Sequence, residues 1–190
     1  GGICLGQMTD DLFRYKFGAD QIYPEEFKKF CDYFIINPAD DLKKVFYKLE
    51  RMIYDKALEN AYRSTMAMFA YENSLSLLDM NAPEGKRETV ELTEEVKISI
   101  VNSAKIFLHY FQNDCFLKRD FFFKNISKLK NIPAVIIQGR YDLVCLFVNA
   151  WKIHNLWPEA EFVVTIAGHN GKDPGNMEKI LEYTDKFASL

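Results

Sequence analysis

The chain has little of what would tie it to a metal, a nucleic acid or a membrane. Its four cysteines, Cys4, Cys31, Cys115 and Cys145, form no Cys-x-x-Cys pair, which removes zinc-ribbon and thioredoxin-type readings. Only three histidines occur and they are widely separated, so no histidine-based metal site is expected. The formal net charge is −3, and the local Lys/Arg groups alternate with apolar residues as on solvated helix faces; no nucleic-acid partner is expected. No apolar stretch approaches the ~20 residues of a membrane span, and no signal-peptide pattern stands at Gly1. With 190 residues, 48% of them hydrophobic, the chain can bury a core without disulfides. Reduced thiols and a cytoplasmic location are the corresponding expectation. Internal repeats and low-complexity tracts are absent too.

What is there changes character along the chain. Residues 1–8 begin as the end of a short apolar strand, and residues 9–130 read as helical almost throughout. Apolar residues recur at helical spacing from Asp40 to Leu78 (Leu42, Val45, Phe46, Leu49, Ile53). They do so again from Leu92 to Gln112 (Val96, Ile100, Ala104, Phe107, Phe111). Pro24, Pro38 and Pro83 mark helix starts or breaks, and Asn81–Glu91 is the best loop. In residues 131–190 a strand run, Ala134–Ile137, is followed by helical spacing over Val148–Leu156. A second strand run, Glu161–Ile166, precedes an amphipathic helix over Asn176–Phe187. Strand, helix, strand, helix predicts a parallel α/β unit, with an all-helical block inserted into the α/β layer.

Each strand run exits into a turn with a chemically useful residue. Gly139-Arg140-Tyr141-Asp142 follows the first, and Ala167-Gly168-His169 the second. In parallel sheets chemistry sits on the loops leaving the strand C-termini, so adjacent strands would bring Asp142 and His169 to one edge. A carboxylate there can fix the imidazole tautomer and stabilise the imidazolium formed when histidine takes a proton from a nucleophile. On these residues alone a second reading is equally open. Asp142 can be a helix cap and His169 an ordinary turn residue.

The block from Ile136 through Cys145, with Ala150-Trp-Lys-Ile-His154, Trp157-Pro-Glu-Ala160 and Ala167-Gly-His169, resembles the C-terminal third of proline iminopeptidases. Gly18-Ala19, Ile22-Tyr23-Pro24, Tyr71-Glu72 and His109-Tyr110-Phe111 extend that resemblance over nearly the whole chain. It implies an α/β-hydrolase serine peptidase that releases N-terminal proline from peptides, with the helical block as a cap and no cofactor. Asp142 and His169 then match the family's triad acid and base. Tyr71-Glu72 matches a Trp-Glu pair whose glutamate binds the substrate's free amine. On its helix Glu72 has Met68, Phe69, Leu75 and Ser76 as neighbours, an apolar surround in which an idle charge is costly. It reads either as that amine ligand or as a boundary glutamate reaching solvent.

The resemblance also exposes departures. The family's serine lies in a Gly-x-Ser-x-Gly elbow, with a Gly-rich oxyanion loop further upstream. The serines here, at 64, 74, 76, 99, 103, 127 and 189, have no flanking glycine pair. Gly2-Ile3-Cys4-Leu5-Gly6 fits the elbow pattern with cysteine, but an elbow needs a preceding strand; Cys4 is read as a buried structural thiol. The N-terminal half of the hydrolase sheet is therefore expected to lie outside this chain, which alone should be inert. Its exposed strand edge at residues 2–5 would favour a homo-oligomer or a swapped segment. Phe107 replaces a second amine-binding glutamate, which predicts weaker selectivity for a free N-terminus. Leu146 replaces a proline, which predicts a less rigid turn beside Asp142. Two other readings stay open: a non-catalytic, degenerate α/β-hydrolase-like interaction module, and an esterase or amidase of the same fold.

Overall fold

A computed structural model describes residues 18–37, 39–78, 92–118 and 120–189. The expected strand at residues 1–5, Cys4, the open sheet edge and the loop Asn81–Glu91 lie outside the described residues, as do Pro38 and Pro83. The described chain divides into two compact units, one formed by 18–74 and 92–116, the other by 75–78 and 117–189.

The first unit is helical: α1 (Ala19–Ile22), α2 (Pro24–Phe34), α3 (Leu42–Ile53), α4 (Leu58–Ser76, whose last residues group with the other unit) and α5 (Glu94–Gln112). Helix α2 opens with Pro24 at its first turn, where no amide hydrogen is missed, and with Glu25 and Glu26 complementing the helix dipole. Asp41 caps α3 by accepting the Lys44 amide at 2.8 Å. Val45, Phe46, Leu49 and Ile53 then form one buried stripe, as their spacing predicts. The helical spacing over 40–78 is carried by two helices. It breaks at Tyr54–Ala57, where the Asp55 carboxylate accepts the Ala57 amide at 2.7 Å and offers the backbone a turn in place of the helix.

In α5 the buried residues are Val101, Ala104 and Leu108, and Val96 is exposed. Of the apolar face expected from Val96, Ile100, Ala104, Phe107 and Phe111, Ala104 is buried, Ile100, Phe107 and Phe111 are half-buried and Val96 is exposed. Apolar residues occur on several sides of this helix, with Ile98 and Ile106 also exposed, so spacing alone does not orient it.

The second unit holds a short α6 (Phe121–Asn125), β1 (Val135–Gly139), α7 (Phe147–Leu156), β2 (Glu161–Thr165) and α8 (Pro174–Ala188). The strands pair in parallel, from Val135 opposite Glu161 to Gly139 opposite Thr165, with α7 as the crossover. Below them Ile126, Trp157 and Ala160 form a small core joined by Phe122, Leu129, Ala134, Ile136 and Ile153. As a whole the described chain is mainly helical with a two-stranded parallel sheet. Among the described residues no helix is long and apolar enough to cross a membrane.

Candidate active site

The parallel register brings the two strand exits together. Beyond Gly139 and Thr165 the pairing continues as Arg140 N donates to Thr165 O (2.9 Å) and Tyr141 N to Ala167 O (3.0 Å). The turns nest so closely that a Cβ on Gly139 would lie 2.1 Å from Gly168 O and 2.6 Å from Ala167 O. On Gly168 it would lie 3.0 Å from Ser76 O and 3.1 Å from an Asp173 carboxylate oxygen. The glycine of Gly-Arg-Tyr-Asp is thus required by contact between the turns, and that of Ala-Gly-His sits tightly against Ser76 and Asp173.

Asp142 is buried, and four donors converge on its carboxylate. The Val144 and Cys145 amides reach Oδ1 at 2.9 and 2.7 Å, and Gln138 Nε2 and His169 Nδ1 reach Oδ2 at 3.2 and 3.1 Å. A carboxylate taken from water needs such compensation. The alternative of a plain helix cap does not describe this geometry: the amides it binds belong to its own turn, and Leu146 at the α7 N-cap position makes no side-chain cap. Leu146 itself has φ −58°, within the range that proline would fix.

The hydrogen bond to Asp142, with a second to the Cys145 sulfur, pushes the His169 pKa up to about 10, against the opposing effect of burial. The ring is therefore an imidazolium paired with Asp142 at neutral pH, and its side chain remains 39% exposed. An imidazole oriented at Nδ1 by a buried carboxylate, with an accessible ring, can hold and move a proton.

The other site residues selected from the sequence, Tyr71, Glu72 and Phe107, belong to the helical unit. Tyr71 is buried and stacks on Phe30, with ring centroids 4.6 Å apart. Glu72 is half-buried, and its helical neighbours Met68 and Leu75 are fully buried. Phe107 is half-buried and stacks on Phe111 at 4.1 Å. His154 stacks on Phe162 and His109 is exposed beside Phe116.

Residues that sequence reasoning passed over gather around the pair. Gln138, the last side chain of β1, holds both Asp142 and the Cys145 carbonyl. Its signal was a lone polar residue ending an apolar, β-branched strand. Cys145 is tied to the acid through its amide and to the base through its side chain. Thr165, Asp173 and Asn176 are buried polar residues around the His169 turn.

No family model matches the chain. Curated proteins that it resembles are, by name, peptidases. More particularly they are proline iminopeptidases: one from Arabidopsis thaliana is 33% identical over 192 residues, covering 100% of this chain and 48% of its own length. A probable proline iminopeptidase from Leptolyngbya boryana is 29% identical, covering 99% of the chain and 56% of its own length. That of Neisseria gonorrhoeae is 32% identical, with 83% and 47% covered. The chain is thus similar to proline iminopeptidases over nearly all its length and spans about half of theirs, a coverage consistent with a C-terminal portion.

Proposed function

We propose that these residues form the cap and C-terminal part of an α/β-hydrolase serine aminopeptidase that releases N-terminal proline. The observation that carries this reading is the 3.1 Å bond between His169 Nδ1 and the buried Asp142 at the exits of two adjacent parallel strands. The similarity to proline iminopeptidases supports it. A serine outside these residues attacks the prolyl carbonyl while His169 takes the hydroxyl proton. Asp142 holds the imidazolium. Backbone amides, also outside these residues, stabilise the oxyanion. His169 then passes its proton to the leaving amine, and water repeats the sequence on the acyl-enzyme. Glu72 holds the substrate's ammonium. These residues alone, without the nucleophile, hydrolyse nothing.

Two consequences follow. An imidazolium cannot accept a proton, so kcat/KM of the complete gene product should climb from pH 7 toward the raised His169 pKa. A flat profile over that range contradicts the raised His169 pKa. Phe107 removes one charged contact to the ammonium, a loss of ~1.5–3 kcal/mol, so free and N-blocked prolyl substrates should differ less than in relatives with a glutamate there.

The deciding assay compares a prolyl amide with a simple ester, using the complete gene product and its His169→Ala variant. Turnover of the amide, abolished by the substitution, is expected. Preference for the ester favours an esterase or amidase. Turnover of neither favours the non-catalytic module to which the Phe107 and Leu146 departures point.

A further inference from the structure

The His169 turn is held from behind by the first turn of α8. Asp173 stands at the N-cap position, followed by Pro174 in the first turn. An aspartate there ordinarily accepts an amide of its own helix. This one makes no such cap and instead accepts the Gly168 amide at 2.6 Å. Asn176, one turn on, sends Nδ2 to Gly168 O at 3.1 Å and to Asn170 O at 3.0 Å. Its own oxygen accepts from the Thr165 hydroxyl at 2.5 Å. Thr165 Oγ1 also lies 3.4 Å from the carbonyl of Gln138, whose amide holds Asp142. The amides of His169 and Asn170 both donate to Ser76 O, at 3.1 and 3.0 Å.

Each peptide group flanking His169 is therefore fixed by a partner from outside the turn. Asp173, Asn176 and Thr165 are each 8% exposed or less. A buried carboxylate and a buried amide are costly unless satisfied; the Asp173 carboxylate and the Asn176 amide nitrogen are satisfied by the residues on either side of one imidazole. Such support decides whether an acid–base pair keeps its working geometry.

We propose that Asp173 and Asn176 are positioning residues for His169, setting the ring against Asp142 by gripping the peptides on either side of it. This assignment rests on the reading of His169 as the base, and its test is independent of that reading.

The experiment is an NMR titration of the His169 ring in the complete gene product, labelled at histidine, with the signal assigned by its loss in His169→Gln. Asp173→Ala and Asn176→Ala should each shift the His169 protonation equilibrium at least about tenfold toward the neutral ring, equivalent to one pKa unit. Asp173→Asn, which keeps an acceptor for Gly168 N, should restore it. Asn176→Asp, which keeps the shape but loses both donors, should not. In the prolyl-amide assay kcat on the alkaline plateau, where the ring is neutral in parent and variants alike, should fall while KM changes little.

Folded variants whose His169 titration matches the parent overturn the proposal. So does a protein that no longer folds with any of these changes, because the pair would then serve the fold alone. Should the peptidase reading fail instead, prolyl amides would not be turned over while the variants still shift the His169 titration.

Discussion

The two units bury polar groups in opposite ways. In the helical unit the buried hydroxyls of Ser64, Thr65 and Ser74 bond carbonyls three or four residues back on their own helix. Asp40 is satisfied by the nearby Lys48 and the Asn37 amide. The interior is otherwise apolar, with Phe34, Leu49, Ile53, Met68 and Leu108 almost fully buried. In the α/β unit the polar bonds run between separate strands, turns and a helix: Asp142 to His169, Thr165 to Asn176, Asp173 to Gly168. Local bonds of the first kind satisfy their own hydroxyls whatever surrounds the helix. Bonds of the second kind satisfy their groups only when distant segments meet in one arrangement. The helical unit is thus specified by volume and pattern, and the strand-exit turns by geometry.

The largest expected effect comes from testing that contrast by substitution. Gly139→Ala drives a Cβ into the backbone of Ala167 and Gly168, which cannot yield as a side chain can. A loss of about 3 kcal/mol or more is expected. In the helical unit a volume-conserving change at the fully buried Leu49, Leu49→Met, should cost less than about 1.5 kcal/mol. Urea denaturation of both variants checks this. Equal costs would erase the distinction.

Next is the pH dependence of stability. Because the His169 pKa is raised in the folded state, its pairing contributes stability fully below about 6.5, the unfolded value. That contribution is lost as pH climbs through about 10. Denaturation midpoints should fall across this window in the parent and fall less in Asp142→Asn. A surface change in the helical unit, Lys28→Ala, which removes the exposed pair with Asp32, should leave the slope alone.

The smallest effect separates the two partners of the imidazole. Cys145→Ala should lower the His169 pKa, but by less than Asp142→Asn does, since the carboxylate is the larger cause. A cysteine change as large as the aspartate change would make the thiol the dominant partner.

Sequence reasoning read some of this well and some of it not at all, for physical reasons. Both strands and the helices around them were legible because a short β-branched run between a proline or polar turn and a glycine has few other uses. The meeting of Asp142 with His169 followed from parallel strand order. The orientation of α5 was legible only in part, because Val96, Ile98 and Ile106 put apolar residues on faces that end up exposed. The break at Tyr54–Ala57 hid inside a continuing apolar pattern and turned on one aspartate bonding the amide two residues later. Gln138, Asp173 and Asn176 went unnoticed because polar residues at strand ends and helix starts are common. Only their long-range partners distinguish them.

The most direct test of the account is the titration of His169 itself, compared between the parent protein and Asp142→Asn. The predicted result is a ring that stays protonated well above pH 6.5 and becomes substantially easier to deprotonate once the carboxylate is gone. A His169 that titrates near 6.5 in both proteins would mean that the two side chains are neighbours without being a working pair.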